Sequence, residues 1–289
     1  MLGRTLLSAA CLGLLVTMPA TQGGPPPSTT VTSVAYADGL VLDEHMPARV
    51  RDDAPVVVLV HGCCGDRRDM AGLARALARR GAVVVNADVH PVGTGGGWPT
   101  SYQDVVCAVS AGRRTASELG GRHHRLVVLG WSDGAMLAAA ATLGWPELAS
   151  GTTTCRAPIS DRGPDVLVGL GGFYGWEVPG VPASMVTEAT VAWFGTSPDV
   201  DPRPWALGNP MWWLAQRPAP HVPAVHLVAA RNDAASTGAF RRQLATIGAD
   251  ASMATVDSTN HLALVQPRDD EGAAALAAIC AVLDLPAAL

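Results

Sequence analysis

The chain has 289 residues, a formal net charge of −5 and no lysine, because all 20 of its basic residues are arginines. The lack of lysine excludes Schiff-base and phosphate-loop chemistry, since both require the lysine amine. The acidic balance, without any basic run, argues against nucleic acid as a partner.

Residues 1–20 have the pattern of a secretory signal peptide, with one early arginine, an apolar run over residues 6–16 and small residues before the expected cleavage point. The apolar run is too short to span a bilayer, so we expect no integral membrane segment after signal removal. Residues 21–30 are rich in glycine and proline and indicate a disordered linker. We therefore expect a secreted protein, with a lipid anchor at Cys11 as the alternative.

Residues 31–289 suit a single α/β domain with a large buried core. Apolar runs alternate with helix-like segments, which predicts a mostly parallel, eight-stranded sheet with helices on both faces. Strands are predicted at residues 31–37, 39–43, 56–60, 82–87, 126–129, 166–169, 225–229 and 252–256. One helix is predicted to begin at a cap formed by Asp66 or Asp69 and to end at Arg80. Further helices are predicted at residues 103–119, 135–143, 240–247 and 272–283. Residues from about 170 to 223 form a modest cap insertion.

Residues 130–134 read Gly-Trp-Ser-Asp-Gly and lie between a predicted strand and an alanine-rich helix. This is the G-x-S-x-G nucleophile elbow in its expected context of strand, sharp turn and helix. The two glycines lack the Cβ atoms that would collide in so tight a turn. We predict that Ser132 is a catalytic nucleophile; the alternative is an ordinary glycine-rich turn with a serine at the helix start.

A serine nucleophile needs a base, and the base needs an acid that orients it. In folds with this elbow the partners follow in the order serine, acid, histidine. Asp233 follows the predicted strand 225–229 and His261 follows the strand 252–256, so both lie where open α/β sheets place their sites. We predict a Ser132–His261–Asp233 triad. The rival acids are Asp257, Asp199 and Asp201.

The other histidines are weaker candidates for the base. His226 lies inside a strand and is expected to make a structural hydrogen bond, and His90 follows a strand and could line the pocket. The remaining candidates are expected to be solvated surface residues: His45, His123, His124 and His221.

A negative oxygen develops on the attacked carbonyl and requires fixed N–H donors. One donor is expected to be the amide of Asp133, the residue after the nucleophile. The other is expected to be the amide of Cys63, in the loop His-Gly-Cys-Cys-Gly at residues 61–65. The alternative for this loop is a catalytic thiol at Cys63 or Cys64.

Of six cysteines, five remain after signal removal, and none has the spacing of a zinc site: Cys63, Cys64, Cys107, Cys155 and Cys280. We expect no metal and no cofactor. Export favours disulfides. The predicted fold puts Cys107 at the same sheet edge as Cys63 and Cys64, so we predict a bridge between Cys107 and one of that pair. A Cys155–Cys280 bridge is a weaker prediction.

These motifs resemble those of the α/β-hydrolase superfamily, and within it the secreted carboxylesterases akin to hormone-sensitive-lipase-like and feruloyl-esterase-like enzymes. The resemblance is carried by four segments: GLVLDEHMP at 39–47, VVVLVHGCCGD at 56–66, PTSYQDVVCAV at 99–109 and AWFGTSPDVDPRPWALGNP at 192–210. It implies an α/β-hydrolase fold, catalytic roles for Ser132, Asp233 and His261, and oxyanion roles for Cys63 and Asp133. Two departures concern the substrate: a cysteine pair replaces the usual loop glycines, and an aspartate replaces the usual small residue or methionine after the serine.

The cap insertion concentrates five tryptophans, of which at least three are expected to pack it onto the sheet: Trp176, Trp193, Trp205, Trp212 and Trp213. The small cap, without a long apolar lid, favours small-molecule esters with short acyl chains as substrates. Two alternatives remain open. In the first, the protein is a non-catalytic exported binding or cell-envelope protein on a hydrolase scaffold. In the second, it is an acyltransferase or peptidase with the same triad.

Overall fold

The computed structural model describes residues 29–120, 124–176, 181–216 and 222–287. The predicted signal peptide and residues 21–28 of the predicted linker lie outside the described residues, as do His123 and His221. Thr30 already belongs to the first strand.

An eight-stranded sheet runs through the molecule in the order β1-β2-β4-β3-β5-β6-β7-β8. Its strands are β1 Thr30–Ala37, β2 Leu40–Met46, β3 Val56–Val60, β4 Val83–Ala87, β5 Leu126–Trp131, β6 Val166–Leu170, β7 Ala224–Ala230 and β8 Ala251–Val256. The pairs β1–β2 and β2–β4 are antiparallel, whereas β3 to β8 run parallel to one another. The predicted mostly parallel sheet of eight strands is confirmed.

The helices of the described residues are α1 Arg67–Arg79, α2 Thr100–Glu118, α3 Asp133–Leu143, α4 Trp145–Ser150, α5 Glu188–Phe194, α6 Arg203–Leu207, α7 Pro210–Gln216, α8 Ala234–Thr246 and α9 Asp270–Leu283. In the described ranges, no helix has the length and apolar character needed to cross a membrane. Asp66 caps α1 and Asp69 closes a capping box with it, so the two predicted caps act together. The segment from α5 to α7 falls within the predicted cap insertion.

β3 shows that both faces of the sheet are covered. Val56, Val58 and Val60 join the apolar cluster that includes residues of α2, α3 and α8. Val57 and Leu59 join the cluster on the opposite face, which includes residues of α1 and α9. A continuous run of branched apolar residues is typical of a strand buried in this way.

The disulfide joins Cys107 to Cys155, with 5.0 Å between their Cα atoms, so both predicted pairings are wrong. Cys107 is buried on α2. Cys155 pairs with Ala37, at the end of β1, through an isolated antiparallel β-bridge of the backbone, and this pairing brings the two cysteines together on one face. Cys280 is a free, buried residue of α9 on the opposite face. Cys63 and Cys64 are free and exposed.

Two histidines expected at the surface are buried, so that prediction is wrong for both. His45 is 2% exposed because β2 extends to Met46 and turns this side chain inward. His124 is 7% exposed, and its Nδ1 lies 2.7 Å from the carbonyl oxygen of Ala54. His226 makes the expected structural contact in β7, where its Nδ1 lies 2.7 Å from the hydroxyl of Ser252.

Candidate active site

Ser132 lies in a sharp turn between β5 and α3. Its backbone has φ 57° and ψ −125°, in a region that a residue with a side chain rarely adopts. A Cβ at Gly130 would collide with the backbone of Gly134, and a Cβ at Gly134 would collide with the backbone of His61. The two glycines therefore permit the turn, as the sequence predicts, and the structure presents a strained serine at the start of a helix.

Asp233 and His261 come together at the carboxyl edge of the sheet. His261 Nδ1 lies 2.9 Å from Asp233 Oδ2. A carboxylate only accepts hydrogen bonds, so Nδ1 carries the proton and Nε2 is left as a proton acceptor. Their side chains are 34% and 17% exposed, which leaves the imidazole accessible and the carboxylate largely enclosed.

Trp131 and Gly171 position this pair next to Ser132. The Trp131 ring stacks on the His261 ring at 5.2 Å, and its Nε1–H donates to the His261 carbonyl oxygen at 3.3 Å. A Cβ at Gly171 would lie 2.8 Å from both Asp233 Oδ2 and His261 Cε1, so only glycine fits there without displacement. The Ser132 amide donates to the carbonyl of Leu170, the residue before Gly171, at 2.9 Å. The three predicted triad residues thus flank the end of β6.

The loop after β3 lies against the serine, since a Cβ at Gly62 would be 3.0 Å from the Ser132 Cβ. The Val89 amide donates to His61 Nε2 at 3.0 Å, so His61 Nδ1 carries the proton and donates to the Gly62 carbonyl at 2.7 Å. In a planar trans peptide the C=O and the N–H point in opposite directions. The His61 ring therefore turns the next amide, that of Cys63, away from itself.

Cys63 and Asp133 line the same cavity, and each lies next to a neighbour of the serine: Asp133 follows Ser132 in the chain, and Cys63 follows Gly62 of the loop that packs against it. Within the described ranges, neither N–H has an acceptor from the protein. Unpaired amides at a helix start and in an adjacent loop are suited to bind a developing negative charge.

The surroundings of the Cys63 side chain disfavour the thiolate. Burial, hydrogen bonding with the Cys64 thiol and the negative charge of Asp133 raise the pKa of Cys63 to about 12. Because the nucleophilic form of cysteine is the thiolate, this environment argues against the alternative of a catalytic thiol at Cys63.

A cavity of about 450 Å³ opens beside the two amides. Three segments line it: residues 63, 64 and 133 at the site, residues 91–94 after β4, and Ala189, Ala192 and Trp193 of α5. Ser132 and His261 are not part of its lining. The sequence does not predict the contribution of residues 91–94 to the cavity, because nothing local in this loop distinguishes it from a surface loop.

The tryptophans of the insertion divide into two roles. Trp176, Trp205 and Trp213 are at most 7% exposed and pack the insertion, in agreement with the expectation for at least three of the five. Trp193 borders the cavity, and its Nε1–H donates to the Tyr102 hydroxyl at 3.1 Å. Trp193 borders the cavity, and does not only pack the insertion, because of where α5 lies.

The rival residues are engaged elsewhere. Asp257 pairs with Arg231 at 2.9 Å, and Asp199 and Asp201 are exposed in the insertion. His90 lies near the site, as expected of a pocket residue, but its Nδ1 is 3.0 Å from Asp104 Oδ2. Burial raises the pKa of Asp104. Among the described residues, no group of three or more metal-binding side chains is assembled.

The sheet order, the serine elbow and the acid and histidine after β7 and β8 define an α/β-hydrolase fold. Residues 42–152 match the model of the BD-FAE family, which is an α/β-hydrolase esterase family. The family match supports a carboxylic ester hydrolase.

Solved esterases share this fold at low sequence identity. Carboxyl esterase 2 from Tuber melanosporum is 17% identical, with a TM-score of 0.63 over 92% of this chain and 88% of its own. A thermostable esterase from Pseudomonas putida is 20% identical, with a TM-score of 0.61 over 88% and 81%. Esterase B from Lactobacillus rhamnosis is 14% identical, with a TM-score of 0.69 over 90% and 86%. No curated protein sequence matches the chain.

Proposed function

We propose that the chain is a secreted serine esterase that cleaves short-chain acyl esters through Ser132, His261 and Asp233. The observation that carries this proposal is the Asp233–His261 pair at 2.9 Å, beside a serine with φ 57° at the start of α3. This arrangement joins a nucleophile, a base and an acid that orients the base.

The reaction proceeds in two halves. His261 Nε2 takes the proton of the Ser132 hydroxyl as the oxygen attacks the ester carbonyl, and the amides of Cys63 and Asp133 bind the resulting oxyanion. Collapse of this intermediate breaks the bond to the alcohol, which leaves with the proton from His261. Water then attacks the acyl-enzyme with the same base and releases the acid. Asp233 holds the imidazole in the required tautomer and stabilises its charged form.

The size of the cavity supports a short acyl chain. Its volume of about 450 Å³ lies in the lower part of the range for small-molecule sites. In the described part of the predicted cap insertion the α-helices are short: α5, α6 and α7 have seven, five and seven residues.

Secretion rests on the pattern of residues 1–20. Cleavage after Ala20 leaves Thr21 as the first residue, which mass spectrometry of protein from the culture medium detects. A mature form that stays with the membrane and carries a lipid on Cys11 contradicts a freely secreted protein.

The decisive experiment is labelling with a fluorophosphonate probe together with hydrolysis of p-nitrophenyl esters. We expect the native protein to be labelled, Ser132→Ala to be unlabelled, and a matched variant at the exposed Ser150, Ser150→Ala, to label normally. Activity should be highest on acetate to butyrate esters and abolished in Ser132→Ala. A folded native protein that is not labelled favours the non-catalytic binding protein. A rate that rises steadily from acetate to palmitate contradicts the short-chain preference.

A further inference from the structure

The position of the cavity shows which part of an ester it receives. In the proposed reaction the alcohol leaves with a proton from His261, so the alcohol lies on the histidine side of the carbonyl carbon. The cavity is bordered by Cys63 and Asp133, whose amides bind the carbonyl oxygen, and not by His261. It therefore lies on the acyl side of the bond that breaks.

The cavity is apolar apart from one charge. Among the described residues that line it, only Asp133 carries a formal charge, and the lining contains no arginine or histidine. Within the described residues Asp133 makes no ion pair, and its carboxylate accepts a hydrogen bond from the Cys63 thiol. The aromatic ring of Trp193 borders the same space, with its N–H committed to Tyr102.

The Asp133 carboxylate disfavours the proposed reaction when no cation occupies the cavity. The amide of Asp133 is one of the two donors proposed for the oxyanion, so the side chain brings a negative charge next to a developing negative charge. Like charges a few ångströms apart in a partly enclosed site repel each other strongly. A positive charge in the cavity would offset this repulsion. A carboxylate and an aromatic ring are also the groups that bind ammonium ions.

We propose that the cavity binds a cationic acyl group, so that the preferred substrates are esters of short acids that carry an ammonium group. This inference rests on the proposed esterase function and names its substrate class. The Asp133 carboxylate supplies the charge complement, the Trp193 ring supplies a π-face, and the apolar remainder contacts the methylene chain.

The test compares two esters with the same leaving group and the same shape. They are p-nitrophenyl 4-(trimethylammonio)butyrate and its neutral isostere, p-nitrophenyl 5,5-dimethylhexanoate. The measured quantity is the ratio of their kcat/KM values, cationic over neutral. In Asp133→Asn the amide of residue 133 and the shape of the side chain remain but the charge is lost, so we expect this ratio to fall about tenfold from its native value. Any difference in intrinsic reactivity between the esters cancels in this comparison.

Glu188→Gln is the matched control, because Glu188 is an exposed carboxylate at the start of α5, next to the lining residue Ala189. We expect it to leave the ratio unchanged. Salt gives a second measurement that needs no variant: the native ratio should fall as the ionic strength rises to about 0.3 M.

The outcomes separate the two proposals. Hydrolysis of both esters with a ratio that neither Asp133→Asn nor salt lowers overturns the cationic acyl group and leaves the esterase function standing. Folded protein that cleaves p-nitrophenyl butyrate but neither of these two esters overturns this inference alone. Folded protein that cleaves no p-nitrophenyl ester overturns the esterase function, and this inference with it. A loss of preference that is equal in Glu188→Gln and Asp133→Asn also overturns it, because a diffuse surface field would then be responsible.

Discussion

In the proposed reaction Cys63 acts through its backbone amide, and its side chain takes no part in the chemistry. The His61 ring donates to the Gly62 carbonyl and thereby turns the Cys63 amide away from the imidazole. The thiol, with its raised pKa, is a neighbour of Asp133. An unusual side chain is compatible with this position because the proposed reaction uses only the N–H of residue 63.

We predict that Cys63→Pro lowers kcat on p-nitrophenyl butyrate by about 10²–10³-fold, because proline lacks the N–H that we propose binds the oxyanion. Cys63→Ala keeps the amide and should stay within a few-fold of the native rate. Cys63 does not have a positive φ, so the backbone conformation does not oppose proline on that ground. Circular dichroism of both variants checks that they fold. An equal loss in the alanine variant would assign the effect to the thiol.

At the residue scale, the sequence identifies candidates by type and order. Ser132 stands between two glycines at positions where the turn has no room for a Cβ atom, and this requirement is local and visible in the motif. Asp233 and His261 follow the last two strands, so strand order alone predicts that they meet. Trp193 is different: its place at the cavity depends on how α5 packs, which no local pattern records.

β2 carries a buried ionisable group that has no partner. Both ring nitrogens of His45 lie without a hydrogen-bond partner among the described residues, and the side chain is 2% exposed. Burial lowers the pKa of His45, since it penalises the charged imidazolium; the Arg75 charge acts in the same direction and Asp43 opposes it.

We predict that this histidine makes the protein less stable in acid. Above pH 6.5, its ordinary pKa, His45 is neutral in both states and has no effect on the pH dependence. As the pH falls below that value the unfolded state binds a proton that the folded state does not, so the free energy of unfolding decreases until the folded pKa is reached. His45→Leu should show a smaller decrease between pH 7.5 and 5.0 in urea unfolding. Parallel curves for the variant and the native protein would contradict the prediction.

At the element scale, predictions succeed where the pattern is continuous. β3 is predicted to the residue because five branched apolar residues in a row suit only a strand buried on both faces. α8 begins six residues before the predicted start, because its first turns, Ala-Ala-Ser-Thr-Gly, contain no large apolar residue that marks a helix face. The sequence does not predict that His45 faces the interior, since the burial of a strand end depends on its neighbours in the sheet.

At the scale of the whole molecule, parallel strands collect residues that are distant in the chain at one edge. Ser132 follows β5, Asp233 follows β7 and His261 follows β8, so the candidate site spans four neighbouring strands, with β6 between the serine and the acid. This arrangement follows from the alternation of strands and helices and was predictable. The disulfide was not, because its two cysteines meet through the packing of α2 beside the end of β1, and not through a shared sheet edge.

We predict that loss of the disulfide destabilises the fold without changing the site. The bond closes a loop with a sequence separation of 48, for which the loss of loop-closure entropy in the unfolded chain corresponds to about 4 kcal/mol. The double variant Cys107→Ser/Cys155→Ser should therefore unfold at lower urea concentration and retain kcat at 25 °C. Cys64→Ser, which removes an exposed free thiol, serves as the control and should unfold near the native midpoint. An unchanged midpoint in the double variant would contradict the prediction.

The same bond makes a covalent ring of residues 107–155, and β5, Ser132 and α3 all lie within it. If a protease cuts the backbone once anywhere inside this ring, the two fragments stay tethered to each other through sulfur. The nicked molecule then migrates as a single species on a non-reducing gel and separates into two bands only after reduction. Ser132, the proposed nucleophile, therefore lies in a part of the chain that a single cut does not release.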